Sequence, residues 1–194
     1  MQKRRKEKIG EFRAGKTPLQ FYNERKNLKY FAEAEKLAKE HFPNAESYLD
    51  VGGGCSLFLT RFTGKRTVAD IDPNGNLYTP QMGVEYVVTD GALTQFEDNS
   101  IDIIFCLQVI EHESLNADEL FRVAKEAVII SYPYKWKTQD VNHSELGGVW
   151  LRERVRRQPV KTVLAADRTR RRSINLYVPP FDKLPSKKGS VNGA

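Results

Sequence analysis

The chain has 194 residues, 40% of them hydrophobic and 29% charged, with a formal net charge of +6. That length supports one core and leaves little for a second domain. Its two cysteines, far apart and outside any C-x-x-C spacing, exclude a disulfide framework and a zinc site and suit a reducing compartment. No apolar run approaches the ~20 residues that cross a bilayer, and the charged start from Met1 to Lys8 has no apolar stretch behind it. A cytoplasmic chain without a membrane span or secretory leader is expected.

Charge is uneven along the chain. Residues 1–16 hold seven Lys/Arg against two Glu, residues 152–172 hold nine against two acids, and everything else carries a net of −6. Concentrated positive charge meets phosphates on nucleic acid, a nucleotide-sugar, a phosphorylated lipid or an anionic membrane surface, or it only solvates a face. Residues 1–16 read as a basic flexible segment, 17–182 as a single domain, and 183–194, rich in Ser, Lys and Gly, as a disordered tail.

The first periodic element is Phe21–His41, where Leu28, Phe31, Ala32 and Ala38 recur at helical spacing among Glu and Lys. Pro43 and Asn44 end it. A short apolar strand, Tyr48–Val51, then carries Asp50 near its tip and breaks into Gly52-Gly53-Gly54, followed by Cys55, Ser56 and an apolar, helix-like segment from Leu57 to Phe62. Strand, glycine loop and helix are the cradle with which open α/β sheets hold a nucleoside-bearing cofactor. A second strand, Thr67–Asp70, leads to Asp72, placed 22 residues after Asp50 and suited to ribose hydroxyls. A dinucleotide fingerprint needs G-x-G-x-x-G, and from Gly52 the third glycine position is Leu57. Asp50 would also repel a diphosphate, whereas it suits the ammonium of a methionine moiety. The loop therefore favours S-adenosylmethionine over a nicotinamide cofactor.

Two further strands follow, Val84–Val88 with Asp90 and Gly91 after it, and Ile101–Cys106 with Gln108 to His112 after it. In order, the chain shows Asp90, Phe96 six residues on, an acidic-polar turn, a strand aspartate at Asp102, and Val109-Ile110-Glu111-His112. This stretch, about Ser47 to Ser131, resembles the class I S-adenosylmethionine-dependent methyltransferases, most closely the ubiquinone/menaquinone-biosynthesis-like (type 11) subgroup. The resemblance implies that Asp50, Gly52, Gly53 and Gly54 line the methionine end of the cofactor, that Asp72 takes the ribose, and that Asp90 and Gly91 meet the adenine. Gln108 joins the cofactor-binding set. Ser56 departs from the family, where a third loop glycine is common. Asp102 and the cysteines, Cys55 and Cys106, read as structural.

A helix over Ala117–Lys125 and a fifth strand, Ala127–Ser131, complete the alternation, which means a doubly wound, mostly parallel sheet. Val160–Ala165 and Ser173–Val178, separated by Ala166–Arg172, read as an antiparallel hairpin closing the sheet edge, seven strands in all. Ligands in such sheets bind beyond the carboxyl ends of the strands. The acceptor is thus expected near Tyr132, Tyr134 and Trp136, an aromatic platform interleaved with Lys135 and Lys137, and near two candidate bases, His112 and His143. His41 reads as structural. No metal site is expected. An Asp-Pro-Pro-Tyr-like run is absent after the fourth strand, where Cys106-Leu107-Gln108-Val109 stands, which argues against methylation of base amino groups. The expected activity is O-methylation of a saccharide, glycolipid or other small molecule. The alternatives are an RNA methyltransferase using the basic segments, and a non-catalytic cofactor-binding scaffold. The oligomeric state is open.

Overall fold

The computed structural model describes residues 18–54, 57–73, 75, 79–89, 91–112, 115–134, 148–167 and 170–182. Seven strands form one sheet: β1 (Ser47–Val51), β2 (Lys65–Asp70), β3 (Glu85–Val88), β4 (Ile101–Leu107), β5 (Ala124–Pro133), β6 (Lys161–Asp167) and β7 (Arg170–Tyr177). Their order is β3-β2-β1-β4-β5-β7-β6. The first five run parallel, and β7 inserts antiparallel between β5 and β6. The four α-helices among the described residues are α1 (Pro18–Arg25), α2 (Lys29–His41), α3 (Ala117–Val123) and α4 (Gly148–Val155). None is long and apolar enough to cross a membrane.

Alternation along the central strands feeds two cores, as the period of two in a strand requires. Leu49, Ile104, Cys106, Val128, Ile130 and Tyr132 point to the face covered by α3 and α4. Ile103, Phe105, Ala127 and Ile129 point to the face covered by α2, whose Tyr30, Phe31, Ala34, Leu37 and Ala38 recur at helical spacing. Phe31, Phe58, Phe62 and Phe105 stack and edge against one another on that side, with centroids 5.0–5.5 Å apart. The outer strand β3 receives less cover, and its own Val88, with Ile71 just after β2, is exposed.

Several elements depart from the sequence reading, each for a local reason. The single helix expected over Phe21–His41 is two. Leu28 adopts an extended conformation between them and offers no side-chain cap. The cap comes instead from the hairpin: the Lys29 N–H donates to both carboxylate oxygens of Asp167, at 3.0 and 3.2 Å. The segment after the glycine loop is one turn of 3-10 helix, Phe58–Arg61, ended before Gly64 turns back at φ +94°. Helix α3 stops at Val123, because the N–H groups of Asn99 and Ser100 take the carbonyls of Arg122 and Val123 and residue 124 joins the sheet opposite Ile101. The hairpin ladder extends to the pair Asp167 and Arg170, so Ala166 and Arg170–Arg172 are strand rather than connection.

Asp102 holds the amino end of β1. Its Oδ2 accepts from the N–H groups of Glu46 and Ser47 and from Ser47 Oγ at 2.9–3.0 Å, and Oδ1 meets Lys125 Nζ at 3.0 Å. The structural role expected of it holds, at the opposite end of β1 from the glycine loop. Burial raises its carboxyl, but these donors outweigh burial and hold it below the ordinary value. Asp102→Ala should lower stability by about 2–3 kcal/mol, from charge-assisted hydrogen-bond magnitudes. Denaturant melts should show the loss at pH 7 and a smaller one as pH falls through the ordinary carboxylate range.

Candidate functional site

Parallel pairing of β1 with β2 and β4 brings the tips of three strands together at one end of the sheet. Asp50 stands one residue before the end of β1, in register with Val68 of β2 and Phe105 of β4. The chain then turns through Gly52, at φ +74°, whose N–H donates to the Ala69 carbonyl at 2.7 Å. A side chain cannot enter this turn. A Cβ on Gly52 would lie 2.5 Å from Val109 Cγ1, and one on Gly53 would lie 2.5 Å from Asp50 Oδ2. The loop after β4 therefore rests on the glycine loop, and the glycine loop rests on an acid.

Two carboxyls face this turn. Asp50 is 2% exposed, and burial, reinforced by the charge of Asp70, pushes it up to about 8. Asp70 ends β2, and its Oδ2 accepts from the Gly54 N–H at 2.7 Å while Oδ1 accepts from the Asp72 N–H at 2.9 Å. Burial raises Asp70 too, opposed by those N–H groups and assisted by the charge of Asp72. The second acid at the loop is thus two residues earlier than the sequence reading put it, because β2 ends at Asp70. Asp72 lies in the following turn, where its carbonyl accepts from Tyr86 Oη.

A second polar group adjoins the first, around Arg172. The register of β5 with β7 sets Arg172 opposite Pro133, at the carboxyl end of the parallel strands. Its Nε donates to Gln108 Oε1 at 3.1 Å, Nη1 donates to Asp167 Oδ2 at 3.3 Å, and the guanidinium lies 4.6 Å from the centre of the Tyr30 ring. Gln108, at φ +63°, also donates from Nε2 to Ser131 Oγ at 3.1 Å. Burial raises the Tyr30 phenol, Arg25 donates to it at 3.2 Å, and the Asp50 charge reaches it. Glu111 is buried beside this group, pushed up to about 7 by burial, against the opposition of its own backbone N–H and the charge of Arg172.

Of the residues picked from sequence, Asp50, Gly52, Gly53, Gly54 and Gln108 converge here, with Gly91 in the turn after β3. Tyr132 belongs to the core, 2% exposed, so its ring packs the sheet rather than offering a platform; Tyr134 is half-buried. His112 is exposed, and Arg154 donates to its carbonyl. Cys106 is fully buried packing, and His41 meets Lys161 at the surface. Asp90, Cys55, Trp136, His143, the basic segment 1–16 and the tail 183–194 lie outside the described residues. Among the described residues no cluster of His, Cys, Asp and Glu could hold a metal.

Asp70, Tyr30, Glu111 and Arg172 were not picked as site residues. Arg172 was hidden inside a basic run whose members have separate tasks. Arg154 caps the carbonyls of residues 112 and 115, and Arg157 pairs with Asp118 and stacks 4.0 Å from the Phe121 ring.

Residues 49–130 match the family model described as a methyltransferase domain. No curated protein matches the chain. Among solved structures, magnesium protoporphyrin IX methyltransferase from Synechocystis PCC 6803, solved with bound S-adenosylhomocysteine, is similar at 13% identity and a TM-score of 0.62, covering 91% of this chain and 94% of that one. An S-adenosylmethionine-dependent methyltransferase from Aquifex aeolicus is similar at 21% identity and a TM-score of 0.57, covering 75% and 90%. A cyclase shares the fold at 16% identity and a TM-score of 0.56, covering 71% and 61%, so these likenesses speak to fold and not to reaction.

Burial of Asp50 has a consequence for the free protein. Its folded-state value lies above that of an unfolded carboxyl, so the folded chain holds the extra proton and loses stability as pH rises from about 4 to 8. Asp50→Asn should therefore be more stable than the parent, by on the order of 2–4 kcal/mol at pH 8, with the advantage vanishing near pH 4. Denaturant melts across that range check it.

Proposed function

We propose that the chain is a class I S-adenosylmethionine-dependent methyltransferase, as the methyltransferase-domain match over residues 49–130 supports, that its two loop acids divide the cofactor between them and that the polar group around Arg172 receives a hydroxyl-bearing acceptor. S-adenosylmethionine supplies a methyl group activated by a positively charged sulfur. The observation that carries the reading is the pair Asp50 and Asp70 on either side of a loop that only glycine can follow. Its chemistry fits a ligand with an ammonium group and a diol, and would repel a phosphate. Asp50 takes the ammonium, and on meeting that cation it gives up its proton. Asp70 takes the ribose hydroxyls. A carboxylate offers about four lone-pair directions, and the backbone N–H groups of Gly54, Ile71 and Asp72 do not fill them all on Asp70. Gly91 and Asp90 remain the proposed adenine contacts.

The acceptor we infer is a small molecule or saccharide methylated on oxygen. Gln108 and Arg172, hydrogen-bonded to each other beyond the cofactor loop, are groups suited to hydroxyls, and the segment after β4 lacks the run that handles base amino groups. Tyr134 and Trp136 stay proposed as acceptor contacts, and His112 and His143 as acceptor-side histidines. RNA gains less support from residues 152–172 than their charge suggested, since Arg154, Arg157 and Arg172 are engaged inside the fold. Alignment of the acceptor behind the methyl then accounts for much of the acceleration.

Calorimetry with S-adenosylhomocysteine tests the assignment. Asp70→Ala should weaken binding by about 1.5–3 kcal/mol, and Asp72→Ala by less than about 0.5 kcal/mol. The reverse ranking would return the ribose to Asp72. No binding by the folded parent protein would favour a scaffold role.

A further inference from the structure

One buried acid has no task in this reading. Glu111 is 8% exposed, and its Oε2, itself buried, has no hydrogen-bond partner. An orphaned carboxylate oxygen is costly, and native structures keep one where something else completes it. The turn that carries Glu111 is fixed from both sides. Two residues earlier, Val109 lies against Gly52, and one residue later the His112 carbonyl is held by Arg154 of α4. The groups facing Glu111 are Arg172 from β7 and the Cys106 thiol of β4, which feels the charges of both Glu111 and Asp50 as well as Arg154.

We propose that Glu111, through its orphaned oxygen, receives the proton of the acceptor hydroxyl; this rests on the methyltransferase reading above. In the step, the acceptor O–H bond breaks with its proton passing to Glu111 Oε2. The freed electron pair on oxygen bonds the methyl carbon, and the carbon–sulfur bond breaks with its pair left on sulfur, making a neutral thioether. Glu111 returns the proton to solvent after product leaves. A carboxyl poised near neutrality is matched to this task; the backbone N–H of Glu111 and then the Arg172 charge oppose the burial that raises it. His112, one residue on, is exposed and does not share that environment.

The test uses two cofactor analogues and no acceptor. Sinefungin carries an amino group where the cofactor carries its transferable methyl, so it sets an N–H donor at the acceptor boundary, whereas S-adenosylhomocysteine has nothing there. The parent protein should bind sinefungin at least tenfold more tightly than S-adenosylhomocysteine at pH 8, and lose that preference as pH falls through about 7. Glu111→Gln should lose it at every pH while changing S-adenosylhomocysteine affinity less than threefold. If the variant does not fold, the pH series on the parent protein decides. A preference that is absent, independent of pH, or intact in Glu111→Gln overturns the proposal. So does loss of S-adenosylhomocysteine binding in a folded Glu111→Gln, which would assign Glu111 to the cofactor. Binding of neither analogue by the parent protein overturns the methyltransferase reading itself.

Discussion

The burial of Asp50 against the glycine turn, with Asp70 one strand away, is the constraint that the rest of the structure serves. Burial raises the proton affinity of both carboxyls at these adjacent strand tips, and the charge of Asp70 raises that of Asp50 further. Such a pair survives only where the backbone around it is overdetermined. Here the turn is pinned by the Gly52 N–H on Ala69, the Gly54 N–H on Asp70 and the side chain of Val109. The strands bearing the acids are held between two apolar cores and tied at their far end by Asp102. Stability at one end of β1 supports a liability at the other, and such liabilities mark candidate functional sites.

The carboxy-terminal hairpin completes the site instead of merely closing an edge. Because β7 runs against its neighbours, its beginning lies at the end of the sheet where the parallel strands finish, and Arg172 arrives there buried. Asp167, across the hairpin, both receives Arg172 and caps helix α2. Tyr30 in the first turn of that helix then lies beneath the guanidinium. One carboxylate thus couples the position of an amino-terminal helix to Arg172 and, through it, to Gln108.

Most of the fold was legible in the sequence, because strand and loop chemistry alternated clearly from Tyr48 to Ser131, and the parallel order with its antiparallel hairpin followed. What misled was tertiary. The 3-10 turn after the glycine loop and the early end of α3 were decided by distant partners that no local pattern announces. The second acid at the glycine loop illustrates this best. Asp70 and Asp72 are equally acidic on paper, and only the point at which β2 stops pairing separates them. Tyr132 was assigned to a platform by composition, yet strand alternation already put it on the same face as Val128 and Ile130, in the core. Glu111 stood in a legible motif after the fourth strand, but its burial and orphaned oxygen, like the placement of Arg172, are properties of the folded chain.

The most direct measurement is the number of protons exchanged when S-adenosylhomocysteine binds the wild-type protein at pH 7, from calorimetry in two buffers of different ionisation enthalpy. If a protonated Asp50 must ionise to meet the ligand's ammonium group, binding releases close to one proton, and none in Asp50→Asn. Binding that releases no proton, or takes one up, would contradict the account.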